Sequence, residues 1–558
     1  MNTPEVVLIF PRENSVTDNN TYRENANAIS IDSVVTVRNN YEIYREPLGL
    51  ESIAANLRSN NYPVKMFFCS FLEVTDESIL EYIKAHEVIL VGISVLFDRH
   101  LEHAIEISKK ISKINVPIFL GGPLVSFVAE KILNYANWIS GIFIGEGEQT
   151  VYEVVDYIAR KEDWRKIKGL CYINDNGEIY FNAPMEKVDL DKLPNPSRDF
   201  IREAKSLGYE IKVASIYTSR GCAEACTFCT GNQFTKLTNG KVWRGRSPLA
   251  VINEIEELIK SYGISYFYIC DDNFFGYGKN AKQRILKMMS LIKERNIKAK
   301  FHFEMRVDMI DKQLLETCKE SGFTDILLGI ESGVQSMLDR WKKGITVDEN
   351  LRAIKLVKSC GLNLKAGFIL FDEVTTLEEL TENLEFVLKT GLNTPEFVFD
   401  IFNPLQIFVN SSIQQNGNYK IFPGFEVKNK TKRDVIQMVA YDYTIRDIRV
   451  NIFWEAIKGI VNELNYYFNY YIVSYLNQNR KFLSKVQTKE YLRKFNRMYN
   501  DLGDILLDIS FYTIDRVSSD CNKKLIIKLV KEYYFTIEKK YFKESIIKDL
   551  LAIGAKRN

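Results

Sequence analysis

The stretch Ser219-Arg220-Gly221-Cys222-Ala223-Glu224-Ala225-Cys226-Thr227-Phe228-Cys229-Thr230 places three cysteines on one short loop, in the spacing C-x3-C-x2-C. Just upstream, residues 212–218 (Lys-Val-Ala-Ser-Ile-Tyr-Thr) are rich in β-branched and aromatic side chains and predict a strand, and Gly221 opens the loop. Three thiolates do not complete a structural zinc site, which takes four ligands. They can hold three irons of a cubic 4Fe–4S cluster, which ordinarily takes four cysteines, and so leave one iron open. The chain has only four histidines and no second cysteine pair nearby, which weighs against a zinc site finished from elsewhere. Three unrelated buried thiols is the other alternative.

The fuller pattern C-x3-C-x-F-C, with Phe228 just before the third cysteine, resembles the radical S-adenosylmethionine superfamily. The resemblance implies a 4Fe–4S cluster on Cys222, Cys226 and Cys229, with S-adenosylmethionine chelating the open iron through its amino and carboxylate groups and Phe228 beside it. One electron from the reduced cluster then cleaves the sulfonium to a 5′-deoxyadenosyl radical.

Composition narrows the setting. A chain of 558 residues holds two or three domains, and 46% apolar with 26% charged residues is ordinary for globular proteins. A net charge of +2 predicts neither nucleic acid nor an anionic membrane as partner. Met1-Asn2-Thr3-Pro4-Glu5 is no secretory signal, and apolar runs such as 88–97 are too short to span a bilayer. Nine cysteines without a paired framework suggest reduced thiols, and the expected location is the cytoplasm. Cys69, Cys171, Cys270, Cys318, Cys360 and Cys521 are scattered and read as small buried hydrophobes, with a second radical-site thiol as the alternative.

Residues 1–160 alternate short apolar runs (6–10, 64–69, 88–94, 116–120, 141–144) with helical patterns (50–60, 77–85, 101–114, 124–135). This predicts a doubly wound parallel sheet of Rossmann-like type, with ligands outside the carboxyl ends of its strands. Those ends carry Ser94-Val95-Leu96, Gly121-Gly122-Pro123 and Gly145-Glu146-Gly147-Glu148, small enough for a bulky flat ligand to approach the backbone. The set resembles the cobalamin-binding domain, whose pattern carries S-x-L followed by G-G. The resemblance implies cobalamin contacts from Ser94, Leu96, Gly121, Gly122, Pro123, Gly145, Glu146, Gly147 and Glu148. That family's D-x-H-x-x-G signature falls here on Pro47-Leu48-Gly49-Leu50-Glu51-Ser52, with Gly49 at the histidine position, so no histidine lower ligand to cobalt is expected. A Rossmann-like domain with a decayed nucleotide site is the alternative; no G-x-G-x-x-G follows the first strand. The Asn-rich connection 11–46 reads as a lid over the ligand face.

Residues 161–212 read as a hairpin turning at Asn176-Gly177, then an extended linker through Leu193-Pro194-Asn195-Pro196. Residues 213–410 alternate again, with strands expected at 266–270, 300–305, 325–330, 364–370 and 396–401 after the first at 212–218. Six such units predict a partial (β/α)6 TIM-like barrel with chemistry at the carboxyl ends of its strands. Polar residues stand there: Asp271-Asp272-Asn273-Phe274, Glu304 and Arg306, and Glu331-Ser332; a helix N-cap is the plainer role for Asp271 or Asp272. Trp243-Arg244-Gly245-Arg246-Ser247-Pro248, the D-D-N-F segment, Gly329-Ile330-Glu331-Ser332-Gly333 and Lys343-Gly344 resemble radical enzymes with an N-terminal cobalamin domain. That resemblance implies S-adenosylmethionine contacts from Asp271, Asp272, Glu304, Arg306, Glu331 and Ser332. The chain departs from the family at 367–373, where Gly-Phe-Ile-Leu-Phe-Asp-Glu replaces a sequence near G-x-P-G-E-T.

Residues 411–558 are helical by pattern and aromatic, as at 466–471 and 533–535, and read as a domain capping the substrate side; the basic stretch 480–497 reads as a solvated face. The resemblance as a whole implies a cobalamin-dependent radical S-adenosylmethionine enzyme. The reaction expected is methyl transfer from methylcobalamin to an unactivated carbon, with a reductant such as flavodoxin or ferredoxin as partner. A radical cyclisation or rearrangement without methyl transfer, and a corrinoid-binding carrier or sensor, are the alternatives. The substrate, a peptide or a small molecule, is left open.

Overall fold

The computed structural model describes residues 4–13, 46–71, 74–394, 398–415, 420–421, 425–428, 433–436, 441–466 and 485–541. Its first seven strands are β1 (Glu5–Phe10), β2 (Val64–Phe68), β3 (Val88–Ser94), β4 (Ile118–Gly121), β5 (Gly141–Phe143), β6 (Leu170–Ile173) and β7 (Ile179–Phe181), and they form one sheet in the order 2-1-3-4-5-6-7. The apolar runs become strands because both faces are covered. Along β1, Val6, Leu8 and Phe10 enter one core while Val7 and Ile9 enter a second on the opposite face. Strands β1 to β5 are parallel, and the switch in strand order lies between β1 and β3. The hairpin β6–β7, expected as part of the connection between domains, instead extends this sheet antiparallel to β5.

The second sheet follows from β8 (Val213–Ile216). Next come the two-residue strands β9 (Ser219–Arg220) and β10 (Arg244–Gly245), which pair with each other across the base of the cysteine loop. Strands β11 (Tyr266–Ile269), β12 (Lys300–Arg306), β13 (Phe323–Glu331) and β14 (Asn363–Phe368) complete a parallel five-stranded sheet in the order 14-13-12-11-8. The helices Pro248–Tyr262 and Gly278–Glu294 connect β10 to β11 and β11 to β12. The sixth strand expected at 396–401 is not there: Val398–Ile401 is a helical turn, and 395–397 lie outside the described residues. A short apolar run cannot be assigned to strand or helix by periodicity alone.

Two further differences concern the connections. The linker carries an unforeseen helix, Asp199–Ser206, whose Phe200 stacks on Phe71 and meets Phe68 edge-on, filling the junction of the two sheets. Residues 420–442, read as helical, hold two short antiparallel pairs among the described residues; Phe425–Lys428 alternates apolar and polar in period two, as strands do.

Beyond them the helices Ile448–Tyr466, Lys485–Ser519 and Lys523–Tyr541 pack together and against Leu377–Thr390. Lys485–Ser519 approaches so closely that a Cβ on Gly503 would lie 1.8 Å from the Asn393 carbonyl oxygen. Residues 14–45 of the expected lid, 467–471 of the aromatic run and 480–484 of the basic stretch lie outside the described residues. Among the described residues no helix is long and apolar enough to cross a membrane.

Candidate active site

A cavity of about 360 Å³ opens where the carboxyl ends of the first sheet face the second. All nine strand-end residues singled out from the sequence line it: Ser94, Leu96, Gly121, Gly122, Pro123, Gly145, Glu146, Gly147 and Glu148. Opposite them stand Tyr217, Arg220, Gly221, Gly231, Phe234 and Asp272. The position is the one a doubly wound sheet offers a ligand, beyond the strand ends and beside the switch in order. The lining is largely apolar, with Leu8, Ile53, Phe143 and Val151 as its floor.

Glycine is required at this wall. Gly122 has φ +111°, and a Cβ there would lie 2.5 Å from the Val95 carbonyl oxygen. Gly49, at the position of the expected histidine, also lines the cavity, and a Cβ there would meet nothing within 4 Å. Gly122→Ala is therefore expected to cost about 1–3 kcal/mol in a denaturant melt, the usual cost of backbone strain, while Gly49→Ala melts like the parent. None of the four histidines lines the cavity.

The two sheets are tied across the cavity by Arg220, which sequence reasoning missed. It donates to Glu148 at 2.6 Å and Glu146 at 3.3 Å, and Arg244 also pairs with Glu146. Burial alone would raise the Glu148 carboxyl, but the Arg220 guanidinium holds it below its ordinary range. Arg220 also lies over the Tyr217 ring, 4.5 Å from its centroid. Glu146 and Glu148 thus serve as inter-sheet anchors at the cavity edge.

The cysteine loop leaves β9 at Gly221, whose φ of +91° and close approach to the Val242 carbonyl admit no side chain. Cys222, Cys226 and Cys229 are all partly exposed and unpaired. The loop is stapled by Thr227 N–H donating to the Trp341 carbonyl at 2.9 Å, and Phe228 packs edge-on against the Trp341 ring. Burial pushes the Cys229 thiol up to about 11 and also raises Cys226, against the pull of Lys343 and Arg306. Among the described residues no three His, Cys, Asp or Glu side chains close around a point as one ion would need. A cubic cluster asks something different, since each thiolate binds its own iron. Three thiols on one loop fit that group, and the glycine-walled apolar cavity fits a flat corrin.

The residues expected around S-adenosylmethionine divide in two. Asp272 faces the cavity and accepts from Gly221 N–H at 3.0 Å; its environment pushes its carboxyl up. Glu304 accepts from Tyr268 Oη at 2.7 Å. Glu331, at φ +61°, accepts from Lys343 Nζ at 2.8 Å, and the pair lies over Gly329, where a Cβ would touch both. Burial alone would lower the Lys343 ammonium, but the Glu331 carboxylate holds it charged. Arg306 donates to Asp308 and to the Lys343 carbonyl, and reaches Cys226 Sγ at 3.9 Å.

Asp271 and Ser332 are engaged by neighbouring protein groups. Asp271 is buried, with its oxygens taken by Thr218 N–H at 2.6 Å and the Thr218 and Ser219 hydroxyls, so it fixes the strand end that delivers the loop. Ser332 is fully buried against Asn383, and its carbonyl accepts from Asn350.

The profile of the radical SAM superfamily matches residues 216–387, and that of the B12 binding domain matches 34–155. An uncharacterized methyltransferase of Pyrococcus horikoshii is 30% identical over 356 residues, covering 63% of this chain and 75% of the relative. The 4′-phospho-dehydrooxetanocin synthase of Priestia megaterium is 25% identical over 439 residues, covering 74% of this chain and 56% of that enzyme. Among solved structures, the cobalamin-dependent S-adenosylmethionine radical enzyme OxsB with aqua-cobalamin and S-adenosylmethionine bound superposes with a TM-score of 0.72 at 22% identity, covering 96% of this chain and 79% of that one, a likeness of fold. With a cysteine loop on its second sheet and a glycine-walled cavity on its first, the chain belongs to the cobalamin-dependent radical S-adenosylmethionine enzymes.

Proposed function

We propose that the protein is a C-methyltransferase acting on an unactivated carbon. The observation that carries the reading is that one cavity runs from the glycine-lined strand ends to Gly221 and Gly231, which flank the loop bearing Cys222, Cys226 and Cys229. When bound, the cluster and S-adenosylmethionine supply a carbon-centred radical, and cobalamin supplies the methyl group. Cys222, Cys226 and Cys229 would hold the cluster; Asp272, Glu304, Arg306 and Glu331 would surround S-adenosylmethionine, with Phe228 against the loop. The nine strand-end residues would hold cobalamin, with no histidine beneath the cobalt, consistent with Gly49 at the vacant position. A small electron-transfer protein in the cytoplasm would supply the electrons.

The chain's own contribution is to line the cavity and to position. Leu8, Ile53, Phe143 and Phe234 give the cavity its largely apolar lining. Lys343, kept charged by Glu331, and Arg306 set two cations beside Cys226, compensating the negative charge that thiolates bring. The Arg220 clamp fixes the spacing of the two halves.

The similarity to a synthase as well as to a methyltransferase supports a second reading, rearrangement without methyl transfer. The test needs no known substrate. Protein reconstituted with cluster and cobalamin is reduced and given S-adenosylmethionine labelled in its methyl group. Label passing to the protein-bound corrinoid supports methyl transfer; label staying wholly in S-adenosylmethionine and methionine supports rearrangement.

A further inference from the structure

Each of the three loop thiols faces one hydrogen-bond donor, and the three donors differ in kind. Gly231 N–H lies 3.4 Å from Cys229 Sγ, and the Arg306 guanidinium 3.9 Å from Cys226 Sγ. At Cys222 the neighbour is a neutral side chain: Tyr277 Oη lies 3.0 Å from Sγ. The same hydroxyl accepts from Ala223 N–H at 3.0 Å. Its oxygen is therefore engaged by the loop backbone, and its own hydrogen is left to point at the sulfur. A thiolate at that position can only accept.

The chain goes to some length to put the ring there. Tyr277 sits in Phe274-Phe275-Gly276-Tyr277-Gly278, between two glycines in the left-handed region, at φ +63° and +79°. Gly276 N–H donates to the Asn273 carbonyl at 3.1 Å, and the Trp243 ring lies against Gly276 so closely that a Cβ would come within 2.3 Å of it. Tyr277 itself is extended and precedes the helix Gly278–Glu294. A tight turn between a packed tryptophan and a helix start holds the hydroxyl to the loop without contributing charge.

We infer that Tyr277 is a tuning residue for the cluster, its hydroxyl donating to the Cys222 thiolate and raising the cluster's reduction potential. Hydrogen bonds to cluster sulfurs are among the levers that set such potentials. The reduced cluster carries one more negative charge, so the donor favours it over the oxidised form. The inference rests on the reading that the three cysteines hold a 4Fe–4S cluster.

Tyr277→Phe keeps the ring and deletes the donor. In anaerobically reconstituted full-length protein, iron and sulfide content and melting temperature are expected to match the parent. The equilibrium constant for reduction should fall by about three- to tenfold, tenfold being a 59 mV negative shift for a one-electron couple. Redox titration followed by EPR reads this directly. A parallel measurement on the unaltered protein compares the reduced cluster in H2O and D2O by pulsed EPR, where an exchangeable deuteron coupled to the cluster, absent from Tyr277→Phe, is expected. An unmoved potential at full iron content overturns the inference, as does a Tyr277→Phe protein that holds no cluster, because Tyr277 would then be an anchor. Failure of the parent itself to form a 4Fe–4S cluster overturns the underlying reading instead.

Discussion

Replacing Cys226 with alanine abolishes both cluster assembly and S-adenosylmethionine cleavage, while the fold persists. Cys226 lies on a loop whose position is set by backbone bonds, such as Thr227 N–H to Trp341, and by the Phe228–Trp341 contact; neither involves its sulfur. The side chain contributes a thiol that burial holds neutral until a metal draws the proton off. Iron content should fall from four per chain in the reconstituted parent to a small residue, with unchanged far-UV circular dichroism. The same holds for Cys222 and Cys229, whereas Cys318→Ala, in the core behind the strands, leaves the cluster intact. Full iron content in Cys226→Ala would contradict the assignment.

The second large effect concerns stability. Arg198, at the start of the linker helix, is buried and donates to both oxygens of Glu46 at 3.0 Å and to Glu254 at 2.6 Å; Arg246 takes the other Glu254 oxygen. Burial alone would lower the Arg198 pKa, but the two carboxylates keep it charged. Glu51, packed beside them, is pushed up to about 8 chiefly by burial, and so carries a proton at neutral pH. Arg198→Met would leave two carboxylates in the junction without their shared cation, and breaking a buried pair in this way costs about 3–5 kcal/mol. A denaturation series should show that loss at neutral pH. The deficit should shrink as the pH falls and the stranded carboxylates take up protons. A loss below about 1 kcal/mol, the scale of exposed pairs, would contradict it.

Much of this architecture is legible in the sequence, for identifiable reasons. Val6 to Phe10 reads as a strand because a run buried on both faces has no polar interruption. The strand ends at the cavity are legible because they lie just beyond apolar runs and carry four glycines, of which Gly122 has a left-handed φ. The cysteine spacing is legible because three anchors on one loop have few alternatives.

What escapes is whatever depends on side chains meeting across long separations. Arg198 joins Glu46 and Glu254 from 152 and 56 residues away, and no local pattern announces it. Arg220 looks like any residue of a motif until Glu146 and Glu148 arrive from the other sheet. Asp271 and Asp272 are identical neighbours in sequence, but in the loop after β11 one turns into the core and the other to the cavity. The turn at Val398–Ile401 escapes because three apolar residues around one aspartate satisfy strand and helix alike.

The central claim is that one loop supplies a cluster with only three sulfur anchors and so leaves an iron for S-adenosylmethionine. Anaerobic incubation of the reconstituted protein with a strong reductant and S-adenosylmethionine tests it most directly, with 5′-deoxyadenosine measured against time. The account predicts that 5′-deoxyadenosine accumulates, that it requires the reductant, and that Cys226→Ala produces none. Iron-replete, reduced protein that leaves S-adenosylmethionine intact would contradict it.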